Sequence, residues 1–307
     1  MDPRSEQVGD RLSITRSEIQ PARSSVIHGA NNKKLDNRNW VVDHGSSKTK
    51  IVARQRRRKK EMNSPKKTAR VAGFLYLMVI VFGVFAEFFV RQRLIVPGDA
   101  ATTANNIMAS ESLFRIGFVG DLIQVTFWLL LPLALYKLLK PVNKNHASVM
   151  VIFVLVGVAI QCLNMLNQFA ALLLLGGAEY LKVFEANQLQ ALAMFFLNLH
   201  KYGYIIPQIF HGLWLLPLGY LVFKSGSFPR VFGVLLIIAC FSFLLDEFGR
   251  FLLPNYGETI ALVVGLPTVI GEFSFCGWLL IRGVNVEKWK KRALESAKTD
   301  VNEIKGV

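Results

Sequence analysis

Six long apolar stretches constrain this chain more than any other feature. They cover about Val71–Val90, Leu113–Leu139, Val149–Leu175, Tyr204–Phe223, Val231–Leu253 and Ile260–Ile281. An α-helix needs about 20 residues to cross a hydrocarbon core of about 30 Å. Backbone N–H and C=O groups cannot go unpaired in lipid, so runs of this kind must be helices. The short period-two alternation of a membrane β-barrel is absent. The expected fold class is therefore all-α, a polytopic membrane bundle of six transmembrane helices.

Composition divides the chain into two materials. It is 52% hydrophobic and 19% charged with a mean hydropathy of +0.36, yet its net charge is +15. Residues up to Arg70 hold 18 Lys+Arg against 7 Asp+Glu, so most of the charge lies ahead of the first apolar run. Residues 1–61 have few aromatics and no apolar periodicity, and are expected to form a disordered basic tail. The run Arg56-Arg57-Arg58-Lys59-Lys60-Glu61 before Met62 also reads like a purine-rich ribosome-binding site translated in frame. That reading makes Met62 the expected start. Residues 62–285 are then the membrane domain, and 286–307 a short cytoplasmic C-terminal tail. The three cysteines, Cys162, Cys240 and Cys276, lie in apolar segments without metal-binding or redox spacing, and read as packing residues.

The connections carry turn chemistry. Pro97-Gly98-Asp99 breaks the chain, and Asp99 can cap a short helix starting at Ala100. Pro141 stops the second span and Gly176-Gly177 the third. Gln188–His200 reads as an amphipathic approach to the fourth. Ser225–Pro229 and Pro254-Asn255-Tyr256-Gly257 are turns. Pro207, Pro217 and Pro267 fall inside helices and are expected to kink them. Lys66, Lys67, Arg70, Lys137, Lys140, Lys144, Lys224, Arg230, Arg282 and Lys288 flank one side of the spans. Arg91, Arg93, Arg115, Lys182 and Lys201 flank the other. The excess places both termini in the cytoplasm. The basic character is thus an orientation signal, with the lipid bilayer as partner and no nucleic acid implied.

Ionisable side chains inside a span cost several kcal/mol unless paired or wet, so each requires an account. Glu87, Arg91, Arg93, Arg115, Asp121, His211, Asp246, Arg250 and Glu272 form a candidate polar cluster. Gln161, Asn164 and Gln168 form a stripe at i, i+3, i+7. His200, Tyr204, Gln208 and His211 form a second stripe. Nearly all fall in the outer halves of the spans. The expected arrangement is a polar vestibule open to the outside above an apolar layer, with Glu87, Asp121, Glu272, His211 and Arg250 lining it. The arginines Arg91, Arg93 or Arg115 would neutralise the carboxylates. The bland alternative is that these groups snorkel, pair locally or join helices by hydrogen bonds. Glu272 resists it most, because mid-depth offers no route to water. His200 and His211 lie roughly 16 Å apart along one helix and cannot share an ion. No catalytic, metal, cofactor or nucleotide-binding motif is present.

The stretch TARVAGFLYLMVIVFGVFAEFFVRQRLIVPGDAATTANNI resembles a bacterial integral-membrane family known as domain of unknown function 4386. Echoes continue at ALYKLLKPVN, QLQALAMFFLNLHKYGY, LGYLVFKSGSFPRVFGVLL and GEFSFCGWLLIRGVN, covering about Thr68 to Asn285. The resemblance implies a bacterial cytoplasmic membrane protein of about six spans and no particular activity. Residues 1–61 depart from it. Two functions fit the residues best: a channel or carrier for a small solute or ion, or a non-enzymatic sensor, assembly or stress-related protein acting through partners. An intramembrane enzyme acting on a lipid or lipophilic substrate has the weakest support in the residues.

Overall fold

The computed structural model describes residues 65–253 and 256–305. The expectations about residues 1–61, the Met62 start and Pro254-Asn255 lie outside the described residues. Six helices are long and apolar enough to cross a membrane. They are α1 (Pro65–Leu94), α3 (Glu111–Leu139), α4 (Lys144–Leu175), α5 (Ala186–Ser225), α6 (Arg230–Leu252) and α7 (Glu258–Ile281). Two further helices lie outside the spans, α2 (Ala100–Ala109) and α8 (Val286–Lys305). The C-terminal segment read as a tail is therefore helical through Lys305.

Consecutive spans pack side by side, and α5 touches both α4 and α6. The last span returns to the first. The Cys276 thiol contacts the Gly73 carbonyl oxygen at 3.6 Å, and the Tyr76 hydroxyl bonds Glu272 at 2.6 Å. The lipid-facing surface is apolar, with Leu163 68% and Leu262 73% exposed. Such exposure would be costly in water and is expected against acyl chains.

The turns form where the turn residues stand. The Asp99 side chain accepts from the Thr102 N–H at 2.9 Å, capping α2. Thr103 Oγ1 accepts from the Val96 N–H, and Asn106 donates to the Leu94 carbonyl. The PGDAATTANN portion of the family-like stretch thus builds a stapled loop. Gly177 and Gly226 take positive φ after α4 and α5. The approach helix and the fourth apolar run join into one 40-residue element. It is interrupted at Tyr204 and Trp214, three residues before Pro207 and Pro217. A proline lacks the N–H that would bond the carbonyl four residues back and its ring crowds that carbonyl, which accounts for both breaks. Pro267 sits within a continuous α7, as does Pro132 within α3.

The apolar core is concentrated at the end of the bundle that carries Lys137. Leu131, Leu135, Leu138, Leu139, Met150, Leu215 and Leu218 are fully buried there. Backbones approach closely at the α5–α6 crossing. A Cβ on Gly219 would lie 2.8 Å from the Gly233 carbonyl oxygen. The first turns of α8 dock on this end, where the Trp289 indole N–H donates to the Leu138 carbonyl at 2.7 Å.

Candidate functional site

The polar side chains gather toward the other end, around a cavity of about 210 Å³. Each of the six spans contributes to its wall. Gly83 comes from α1, Gln124 and Trp128 from α3, and Gln161 from α4. Tyr204, Gln208 and His211 come from α5, Phe243 from α6 and Glu272 from α7.

Glu272 stands near the middle of α7. It accepts the Tyr76 hydroxyl hydrogen bond at 2.6 Å, and among the described residues no Lys, Arg or His forms an ion pair with it. His211 is buried across the cavity. Its ring meets Trp128 edge-on with centroids 5.0 Å apart. Nδ1 lies 3.0 Å from Gln208 Oε1, within hydrogen-bond distance. Nε2 is buried with no hydrogen-bond partner, as is Gln124 Oε1. Gly157 makes room for the imidazole, because a Cβ there would lie 2.6 Å from it. Unpartnered buried polar atoms beside a cavity are groups that a small hydrogen-bonding molecule could satisfy.

One helical turn from Gln124 toward the Leu94 end lies an ionic triad. Arg91 donates to Glu87 at 2.7 Å and to Asp121 at 2.5 Å. The Asp121 side chain is 3% exposed, that of Arg91 13% and that of Glu87 46%. The triad therefore bridges α1 and α3, from the bundle interior to its edge. Residues Phe85–Arg91 adopt a π-helical turn rather than the continuous α-helix expected from the apolar run. Such a turn inserts a residue and re-aims the side chains that follow it.

The two polar stripes meet. The Asn164 amide donates to the His200 carbonyl at 2.8 Å, and His200 Nδ1 lies 3.2 Å from the Asn164 carbonyl oxygen. Gln161 donates to the Tyr204 hydroxyl at 3.2 Å. Gln168 is buried with neither amide atom hydrogen-bonded.

Four residues of the expected cluster stand elsewhere. Arg93 is exposed beyond the π-turn. Arg115 pairs with Glu111 one turn away, at the surface. Asp246 binds Arg250 at 3.0 Å and the Tyr256 hydroxyl at 2.8 Å, at the end of α6. Arg250 therefore does not line the cavity. An i,i+4 partner at a helix end satisfies Arg115, Asp246 and Arg250 more cheaply than burial. Of the expected lining, Glu272 and His211 face the cavity, while Glu87 and Asp121 are held by Arg91. Sequence reasoning passed over Tyr76 and Gln124. Gln124 sits three residues after Asp121 on the same helix face, a readable signal. Tyr76 had none in its apolar surroundings. Among the described residues no group of three or more His, Cys, Asp or Glu could hold a metal ion.

Six apolar helices closing around a cavity with a few polar side chains in its wall define a polytopic helical membrane protein. The family model described as Domain of unknown function (DUF4386) matches residues 71–283, and the chain belongs to that family. An uncharacterized protein of Archaeoglobus fulgidus is 32% identical over 165 residues, covering 54% of this chain and 82% of that one. No solved structure matches the chain.

Proposed function

We propose that this protein is a channel or carrier for a small polar solute or ion in the cytoplasmic membrane of a bacterium, with both termini inside. The observation that carries the reading is Glu272, a mid-span carboxyl with one hydroxyl partner and, among the described residues, no ion pair, facing a cavity walled by all six spans. A carboxyl at that depth is expensive, and a mobile proton, cation or protonated amine would offset the cost. Gln124, Gln208 and His211 supply amide and imidazole groups that can replace hydration around a small polar ligand. The apolar layer at the Lys137 end acts as the closed gate. The Lys and Arg flanking that end support a cytoplasmic assignment for it.

The test is flux into proteoliposomes loaded with a pH-sensitive dye, using sodium, potassium, ammonium and methylammonium. Wild-type protein should move at least one of them, and Glu272→Gln, which keeps the shape and the Tyr76 contact, should lower the rate at least tenfold. Undiminished flux in that variant would end the proposal. No flux in the wild type would favour a role exerted through partner proteins instead.

A further inference from the structure

A second cavity, of about 380 Å³, lies at the opposite end of the bundle. It is walled by the α5–α6 turn, the end of α7 and the first turn of α8. Its polar lining is Ser227, Trp278, Arg282, Asn285 and Lys288. Arg282 and Lys288 are exposed, and among the described residues neither forms an ion pair. The segment is held in place from both sides. The Asn285 N–H donates to the Ser227 carbonyl at 3.0 Å, and Trp289 bonds the Leu138 carbonyl. The first turn of α6 opens beside it with no side-chain cap, so its N–H groups add positive potential.

Depth identifies the kind of ligand. Ile281 is 73% exposed, as a lipid-facing residue should be, and Arg282 follows it directly. Trp278, one turn earlier, lines the cavity and packs its ring on Phe232 with centroids 5.2 Å apart. Two cations with no ion-pair partner among the described residues, beside the uncapped first turn of α6 and where apolar span gives way to water, match a phosphate-bearing anion. We infer that the Arg282–Lys288 cavity binds a phosphate group at the membrane surface, carried by an anionic lipid headgroup or free in solution. This site is independent of the Glu272 cavity, and its failure would leave the reading of that cavity untouched.

The test uses the purified, delipidated full chain and native mass spectrometry. The probes are short-chain phosphatidylglycerol, short-chain phosphatidylcholine and inorganic phosphate. Phosphatidylglycerol should be retained roughly tenfold more tightly than phosphatidylcholine. The double variant Arg282→Gln/Lys288→Gln should lose that preference, while Arg292→Gln, outside the cavity and paired with Glu295, should keep it. Should the double variant not fold, Lys288→Gln alone, at an exposed position, should weaken retention about threefold. Displacement of the lipid by millimolar phosphate, with phosphate binding equally lost in the double variant, identifies free phosphate as the ligand. Retention of the lipid against phosphate identifies the headgroup. Equal retention of both lipids with no phosphate binding, or a preference that survives in the double variant, overturns the inference.

Discussion

The same six helices build both ends of the bundle, yet the two ends are held together by different chemistry. At the Lys137 end, leucines and a methionine interlock, and Gly219 and Gly233 let backbones touch. Toward the Leu94 end, an arginine clamps two carboxylates, amides reach across to α5, and a cavity remains. In lipid the hydrophobic effect does not distinguish helix–helix from helix–lipid contact, so close packing and polar bonds must drive association. The first end is held mainly by packing, with the Trp289 and Asn285 hydrogen bonds fastening α8 onto it. The second uses polar bonds and leaves several donors and acceptors unmet. Unmet polar groups weaken a purely structural element, and three of them, Gln124 Oε1, Trp128 Nε1 and His211 Nε2, belong to residues lining the Glu272 cavity, which supports the ligand-binding reading proposed above.

The contrast can be broken by substitution, and the largest effect should come from the triad. Arg91→Met strands Asp121 in the interior and should cost about 3–5 kcal/mol, because an uncompensated buried charge remains. Arg91→Met with Asp121→Leu should recover most of that loss. Reversible unfolding in mixed micelles measures both. A cost below about 1 kcal/mol for the single change would make the triad a surface feature.

Leu135→Ala, in the apolar half, should cost about 2 kcal/mol by the same assay. That lies at the low end for a buried leucine, because lipid offers the unfolded chain an equally apolar home. Gly157→Ala pushes on the His211 ring and should cost about 1–2 kcal/mol, while lowering any transport more than Leu135→Ala does. A stable Gly157→Ala protein with normal flux would separate His211 from function. Asn164→Ala removes one interhelical contact and should cost about 0.5–1.5 kcal/mol. The smallest effect concerns pH. The Thr102 hydroxyl and N–H hold the Asp99 carboxyl below its usual pKa. A depressed carboxylate stabilises the fold above its unfolded pKa and loses that contribution as pH falls, so α2 should fray below about pH 4. Hydrogen exchange at Thr102 and Thr103 reads it, and protection independent of pH would contradict the cap.

The spans were legible because twenty-residue apolar runs admit one structure in lipid. The observed ends fall within about six residues of expectation for five of the six, while α5 begins at Ala186 rather than Tyr204 because the approach helix runs straight into it. The turns at Asp99, Gly177 and Gly226 were legible for the same local reason. The site was legible by residue type and depth, but its pairing was not. Arg91, Arg93 and Arg115 are equivalent in sequence, and only the π-helical turn at Phe85–Arg91 aims one of them at Asp121. Arg250 looked like lining, but Asp246 four residues before it had already claimed it. Tyr76 entered through an α1–α7 contact spanning 196 residues, which no local pattern encodes.

In the proposed reading the Glu272 cavity opens to one side of the membrane only, above a closed apolar layer. Cysteine accessibility tests it most directly. With Cys162, Cys240 and Cys276 replaced by alanine, Gln208→Cys places a single thiol on the cavity wall. A membrane-impermeant maleimide added outside intact cells should label it, and the same reagent confined to the cytoplasmic face of inverted vesicles should not. Labelling from the cytoplasmic face alone, or from neither face in folded protein, would contradict the account.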